Sequence, residues 1–228
     1  MDTKPAILLL HGYCGGTQEI ASLYDALCAA GYTVCMPQLA GHTGKKADIR
    51  KSTYRQWLQS AESAFEQLAS DHRRVIPIGF SMGALMALYL STVHEVEAVI
   101  TINCPVYFLN VPQGLRRFLM DLRCRDFSET RMVFHSMRKT TLHSNIEFLK
   151  IHHLMYPVLK RVTVPVYCNQ TLDDRTVFGR PSLRYLLKNL PSKAKSYTLY
   201  RRGDHQILMG PYKERLISNI LTYLKRYE

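Results

Sequence analysis

The chain lacks a long hydrophobic segment. Its purely apolar runs are short, as at Ala6–Leu10, whereas a membrane-spanning helix needs about 20 apolar residues. The same run has neither the length nor the small-residue cleavage site of a signal peptide. We therefore expect no membrane span and a cytoplasmic location.

Paired cysteine motifs are also absent. Six cysteines are scattered through 228 residues, and no two of them form a Cys-x-x-Cys pair. Without an export signal, reduced thiols are the default state of such cysteines. We expect no disulfide framework and no bound metal.

Acidic residues are scarce relative to basic ones. Eighteen Asp and Glu stand against 30 Lys and Arg, which gives a formal net charge of +12. A basic protein can bind nucleic acid or an anionic surface, but here the charges are spread along the chain rather than grouped into blocks. We interpret them as a solvated basic surface and expect no nucleic-acid partner.

Short apolar runs alternate with longer amphipathic ones, without an internal repeat. Helices are predicted at Gln56–Leu68, at 82–92 and at 211–226, and short β-branched runs bounded by Gly and Pro are typical of parallel strands. The six predicted strands are Ala6–Leu10, Tyr32–Met36, Val75–Phe80, Ala98–Cys104, Val164–Gln170 and Ser196–Tyr200. This alternation predicts an α/β fold with a mostly parallel sheet and helices on both faces.

One stretch interrupts the alternation. From about 105 to 161 the pattern is helical and holds no convincing strand, and the stretch is too long for a plain connection. We expect a single α/β domain over residues 1–228, with 105–161 inserted as a small helical cap above the carboxyl edge of the sheet.

A Gly-x-Ser-x-Gly motif stands between a predicted strand and a predicted helix. It comprises residues 79–83 and carries Ser81 at its centre. This context is the one that a nucleophile elbow requires, because the sharp turn projects the serine hydroxyl at a helix N-terminus. Ser81 is therefore the candidate nucleophile.

A serine nucleophile needs a base and an acid that orients the base. His205 follows the last predicted strand, as no other histidine does. Asp173 and Asp174 both follow strand Val164–Gln170, and of the two we prefer Asp174. Asp204 is a weaker candidate for the acid because neighbours in sequence seldom face each other correctly. The order Ser81, Asp174, His205 is that of α/β-hydrolases.

An oxyanion hole needs two backbone N–H groups. Met82 directly follows the nucleophile, and the second N–H is expected from Tyr13 in the loop after the first strand. Gly12, Gly15 and Gly16 would let this loop approach a substrate closely. The loop matches neither of the common Gly-rich phosphate-binding motifs.

Together these segments resemble a known family, the small bacterial-type carboxylesterases and monoacylglycerol lipases of the α/β-hydrolase superfamily. The resemblance covers most of the chain. It is carried by residues 10–13, 37–42, Trp57, 79–83, 164–166 and 203–205. In that family a Pro-x-apolar motif precedes the catalytic Asp by nine residues, which from Pro165 gives Asp174, with Val177 three residues beyond. The resemblance implies a serine esterase with a helical cap over an acyl pocket.

We therefore expect a serine carboxylesterase that hydrolyses short- to medium-chain acyl esters, including monoacylglycerols, through an acyl-enzyme on Ser81. It would need no cofactor, and its partner would be a small-molecule ester; the oligomeric state is left open. An acyl-thioesterase or amide hydrolase with the same three residues is the alternative, and a non-catalytic basic binding protein is a third hypothesis. The expected substrate-binding residues are Gly12, Tyr13, Phe108, Phe118 and Phe134.

Overall fold

A six-stranded parallel sheet forms the centre of the molecule. The structure is a computed structural model that describes residues 4–108, 123, 140–201 and 203–228. Its strands are β1 (Ala6–Leu10), β2 (Val34–Cys35), β3 (Val75–Phe80), β4 (Val99–Ile102), β5 (Val166–Thr171) and β6 (Lys195–Tyr200). Their order across the sheet is β2-β1-β3-β4-β5-β6. The predicted α/β fold is confirmed, and each of the six predicted strands is present with its ends shifted by at most two residues.

The central strands are buried on both faces. All residues of β1, β3, β4 and β5 are buried, as the strands of a parallel sheet covered on both faces usually are. The second half of β5 is polar, with Asn169, Gln170 and Thr171 buried near the carboxyl end of the strand. The register pairs Leu10 with Gly79 and Phe80 with Ile102. The carboxyl ends of these strands therefore meet at one edge of the sheet, and the loops that carry the candidate residues start from that edge.

Seven α-helices lie among the described residues. They are α1 (Ala21–Ala29), α2 (Lys46–Lys51), α3 (Tyr54–Asp71), α4 (Met82–Val93), α5 (Leu142–Leu159), α6 (Gly179–Asn189) and α7 (Lys213–Leu224). Helix α3 starts two residues before the predicted Gln56 because Thr53 and Gln56 form a capping box, in which each side chain bonds the backbone N–H of the other.

Two apolar cores flank the sheet. One contains buried residues of α3, α4, α5 and α6, and the other contains those of α1 and α7. Helix α4 is buried along most of its length, which explains why its sequence is apolar nearly all round.

The predicted cap at 105–161 is described only in part. Its last described portion is α5, whose residues Ile151, Met155 and Val158 are buried in the same core as α4. Its first portion ends at Phe108, which forms an isolated antiparallel bridge with Val177. The rest, including Phe118 and Phe134, lies outside the described residues, so the cap over the site stays a prediction.

Candidate active site

Ser81 occupies the turn between β3 and α4 in a strained conformation. Its φ of 52° and ψ of −120° lie in a region that non-glycine residues rarely adopt, at a cost of about 1–3 kcal/mol. Crowding explains the flanking glycines, because a Cβ on Gly79 would lie 2.1 Å from the Gly83 carbonyl oxygen and one on Gly83 would lie 2.3 Å from that of Leu10. The Ser81 backbone N–H donates to the Ile102 carbonyl at 2.8 Å, which fixes the turn to β4.

The structure brings Ser81, His205 and Asp174 into one hydrogen-bonded chain. The Ser81 Oγ lies 2.8 Å from His205 Nε2, and His205 Nδ1 lies 2.7 Å from Asp174 Oδ2. The carboxylate can only accept, so the proton lies on Nδ1, and Nε2 accepts the bond from the serine hydroxyl. Ser81 sits at the N-cap of α4, but its hydroxyl makes no capping bond.

The two other acidic candidates do not reach the imidazole. Asp174 is fully buried, and its Oδ1 accepts from the backbone N–H groups of Thr176 and Val177 at 2.7 and 2.8 Å. Asp173 beside it is exposed. Asp204 accepts from the His205 backbone N–H at 2.7 Å rather than from the ring.

The charge on Asp174 changes the titration of His205. Burial disfavours the charged imidazolium, but the Asp174 carboxylate outweighs this effect by charge and hydrogen bond, with help from Glu19 and Asp204. The pKa of His205 is therefore raised above its ordinary 6.5. A neighbouring anion stabilises the protonated ring, as a base that accepts a proton during reaction requires.

Two backbone N–H groups in the segments that follow β1 and β3 are available for a ligand. Within the described part of the chain, the amides of Tyr13 and Met82 donate to no protein acceptor. Met82 is the first residue of α4, and the first N–H groups of a helix have no intrahelical partner. The loop of Tyr13 is held by His11, whose Nδ1 donates to the Gly12 carbonyl at 2.9 Å and whose Nε2 accepts from the Leu39 amide at 3.2 Å.

Aromatic rings connect the Tyr13 loop with α5 and with Phe108, whose bridge to Val177 reaches the Asp174 loop. Tyr13 stacks on Phe148 of α5 with 4.8 Å between ring centroids, and Phe148 meets Phe108 edge-on at 5.2 Å. The Tyr13 hydroxyl also donates to Ser144 of α5 at 2.8 Å. Burial raises the pKa of Tyr13, so its hydroxyl stays protonated and keeps this bond.

The only tryptophan of the chain lies behind Tyr13. Trp57 of α3 is fully buried, and its ring centroid is 5.8 Å from that of Tyr13. Its indole N–H donates to the Ser52 hydroxyl at 2.9 Å. Helix α3 thereby supports the Tyr13 side chain from behind.

Several residues that the sequence did not single out hold the His205 loop in place. Asn103, directly after β4 with a φ of 47°, donates from Nδ2 to the His205 carbonyl at 2.8 Å and accepts from the Thr171 N–H at 2.8 Å. Gln206 donates to Glu19 at 2.6 Å. No sequence motif marks these contacts, although an Asn at positive φ is a recognised backbone preference.

The fold and the hydrogen-bonded Ser–His–Asp chain define the class of protein. A family model described as the alpha/beta hydrolase fold matches residues 5–134. The thermostable monoacylglycerol lipase of Bacillus sp. (strain H-257) is 32% identical over 232 residues, covering 97% of this chain and 90% of that protein. The chain belongs to the α/β-hydrolase family.

Further relatives carry related names. The carboxylesterase of Bacillus subtilis (strain 168) is 18% identical over 98% of this chain and 93% of that protein. A solved structure concerning LipS and LipT, two metagenome-derived lipolytic enzymes, has a TM-score of 0.81 at 18% identity, covering 98% of this chain and 94% of that one. These names support the expected class, a carboxylic ester hydrolase of the α/β-hydrolase superfamily.

None of the helices in the described ranges is long and apolar enough to cross a membrane.

Proposed function

We propose that this protein hydrolyses carboxylic esters through an acyl-enzyme on Ser81, with His205 as the general base and Asp174 as the acid that orients it. The observation that carries the proposal is the continuous chain from Ser81 Oγ through His205 to Asp174, with both links within 2.8 Å. This is the geometry that a serine hydroxyl needs to lose its proton as it attacks.

In the first half of the reaction, Ser81 Oγ attacks the ester carbonyl carbon while its proton passes to His205 Nε2. The carbonyl oxygen becomes an oxyanion, which the backbone N–H groups of Tyr13 and Met82 bind. Loss of one such donor costs about 3–4 kcal/mol of transition-state stabilisation. When the tetrahedral intermediate collapses, His205 gives its proton to the departing alcohol oxygen and the acyl group stays on Ser81.

In the second half, water replaces the alcohol. His205 takes a proton from the water as its oxygen attacks the acyl carbon, and it returns that proton to Ser81 Oγ when the carboxylic acid leaves. Asp174 stays ionised throughout and stabilises the imidazolium. Its other carboxylate oxygen accepts two backbone N–H bonds, from Thr176 and Val177, which hold the carboxylate in place beside the ring.

We further propose short- to medium-chain acyl esters, including monoacylglycerols, as substrates. The name of the Bacillus sp. relative supports this class, and so do the rings of Tyr13, Phe148 and Phe108, which present apolar surface between the Tyr13 loop and the Asp174 loop. An apolar wall with a few polar groups is the usual form of a site for a small ligand. Gly12 and Tyr13 would contact the ester, and Phe108 would contact the acyl chain.

The test of this proposal is covalent labelling with a fluorophosphonate, followed by mass mapping of the modified peptide. We expect label on Ser81 in the parent protein and none on Ser81→Ala, with p-nitrophenyl ester turnover lost in parallel. Label on another residue, or equal labelling of both proteins, would reject Ser81 as the nucleophile.

Turnover of matched esters, acyl-thioesters and amides in one assay series separates the leaving-group classes. We expect the ester to give the highest kcat/KM. A thioester or amide that reacts faster would assign the alternative hydrolase with the same three residues. Absence of both turnover and label would favour the non-catalytic binding protein.

A further inference from the structure

The loop after β5 carries Asp174 and is called the acid loop here, and the loop after β6 carries His205 and is called the base loop. Two adjacent residues of the acid loop face two adjacent residues of the base loop. Asp174 bonds the ring of His205, and the neighbouring Arg175 forms an ion pair with Asp204 through its guanidinium. The loops after β5 and β6 are thus joined by two parallel contacts. One contact contains the proposed base His205. The other involves the next residue of each loop, Arg175 after Asp174 and Asp204 before His205.

The Asp204 carboxylate accepts hydrogen bonds from both loops. Its Oδ2 accepts from the Arg175 guanidinium, while its Oδ1 accepts from the His205 backbone N–H at 2.7 Å and from the Arg175 backbone N–H at 3.4 Å. Bonds that combine a charged donor with a charged acceptor are among the stronger ones in proteins. The pair therefore fixes the backbone of His205 relative to the backbone that follows Asp174.

We propose that the Arg175–Asp204 ion pair is a positioning device that holds the base loop against the acid loop and balances the charge beside His205. This inference rests on the proposed function. Neither residue touches the reacting atoms, so both act through His205 and Asp174. Arg175 restrains the acid loop, and Asp204 restrains the base loop.

The groups that face His205 come from several elements. Asp174 lies on the acid loop, Glu19 on the segment before α1, and Asp204 on the same loop as His205, and all three favour the charged ring. Phe80 of β3 contributes an uncharged ring at 5.2 Å. Arg175 is the cation bonded to Asp204, so the two members of the pair act on the imidazolium with opposite sign.

Because Asp204 and Arg175 carry opposite charges, removing them should shift the pKa of His205 in opposite directions. A purely structural role of the pair would not produce opposite shifts. Asp204→Asn removes an anion, so we expect the pKa of His205 and the acid limb of kcat/KM to move down. Arg175→Gln removes a cation, so we expect both to move up. Each shift is expected to be about half a unit to one unit, and kcat is expected to fall about tenfold or more because the loops lose their alignment.

Two more variants separate charge from geometry. Arg175→Lys keeps the charge but loses the planar fork, so we expect the parental pKa of His205 with a lower kcat. Arg74→Gln breaks another Arg–carboxylate ion pair, with Glu97, near the amino ends of β3 and β4. The carboxylates of the two pairs are similarly exposed, at 34% and 35%, although Arg74 is more exposed than Arg175. This control is expected to leave both quantities unchanged.

The measurements are the pH titration of the His205 ring by NMR, the pH dependence of kcat/KM for a p-nitrophenyl ester, and thermal unfolding of each variant. Shifts of the same sign in Asp204→Asn and Arg175→Gln, or no shift in either, would overturn the charge balance. An unchanged kcat in Arg175→Lys and Arg175→Gln would overturn the positioning role. The NMR titration needs no substrate, so a parent protein without ester turnover would reject the proposed function while leaving the charge balance testable.

Discussion

The Glu19 carboxylate lies where a side chain on Gly15 would begin. A Cβ built on Gly15 would be 1.8 Å from Glu19 Oε2, while Oε1 accepts from Gln206 at 2.6 Å. Because Gln206 follows His205, Glu19 links the Tyr13 loop to the base loop. Gly15 makes room for this link, which is a different reason for the glycine from the close substrate approach expected from the sequence.

The first prediction concerns this contact. Gly15→Ala should displace Glu19 and lower kcat/KM by about tenfold or more, because a small misplacement of the Tyr13 loop is costly. Glu19→Ala in the same chain removes the clash and should recover part of the loss. Steady-state kinetics of the single and double variants measure both effects.

Gly16→Ala is the matched control for that series. The three atoms nearest to its Cβ would all belong to the end of the Gln18 side chain, which is exposed and free to move. We expect nearly parental kcat/KM. A loss equal to that of Gly15→Ala would mean that the loop tolerates no added methyl group, whatever Glu19 does.

The second prediction follows from the raised pKa of His205. The ring must be neutral to accept a proton, so kcat/KM should rise with pH through an apparent pKa above 6.5. The raised pKa of His205 also contributes to the free energy of unfolding. That contribution is fully present below a pH of about 6.5, the ordinary pKa of the ring in the unfolded chain, and it is lost as pH rises through the higher pKa of the folded state. A pH profile at constant ionic strength measures the first effect, and an acid limb below 6.5 would contradict it.

The third prediction separates the two neighbouring aspartates. Asp174→Asn should lower kcat by about 10⁴-fold, since the amide no longer holds the required tautomer, whereas Asp173→Asn should have little effect because Asp173 is exposed. Initial rates with one p-nitrophenyl ester are sufficient. A larger loss in Asp173→Asn would transfer the role to that residue.

The fourth prediction concerns Asn103. Asn103→Asp keeps the acceptor for Thr171 but loses the donor to the His205 carbonyl. We expect about 1–3 kcal/mol less free energy of unfolding, because a buried group is left unsatisfied, together with lower kcat. Denaturant titration and initial rates provide the two values.

Asn189→Asp is its control. Asn189 also donates from Nδ2 to a backbone carbonyl at 2.8 Å, but it does so at the end of α6, away from His205. Its kcat should stay parental. If Asn103→Asp likewise kept the parental kcat, the tether to His205 would have no role in catalysis.

The sheet was predictable because its signals are local. Strands β1, β3 and β4 are short, mostly apolar runs, and β5 begins as one before its polar second half. Such runs mark a strand even where its exact first and last residues are uncertain by one or two positions. Helices α1, α2 and α6 went unpredicted. Helices α1 and α2 are only nine and six residues long, too short for a clear periodicity. Helix α6 carries Gly179 and Pro181 in its first turn. Because both residue types usually break a helix anywhere else, the sequence at α6 does not indicate a helix.

The contacts around the candidate site are less accessible to sequence reasoning. Ser81 and His205 follow strands, so the parallel topology alone brings them to one edge. Asn103 and the Arg175–Asp204 pair depend instead on side-chain directions in loops more than 25 residues apart. Nothing local to Asn103 or Arg175 encodes its partner, and their roles emerge only when both loops are seen together.

Trp57 gives the chain a built-in optical reporter. It is the one indole among 228 residues. Although it is fully buried, its ring lies against that of Tyr13. We therefore expect its emission to respond to changes around the Tyr13 loop. Ligand entry can then be followed by intrinsic fluorescence, with no attached dye and no engineered probe.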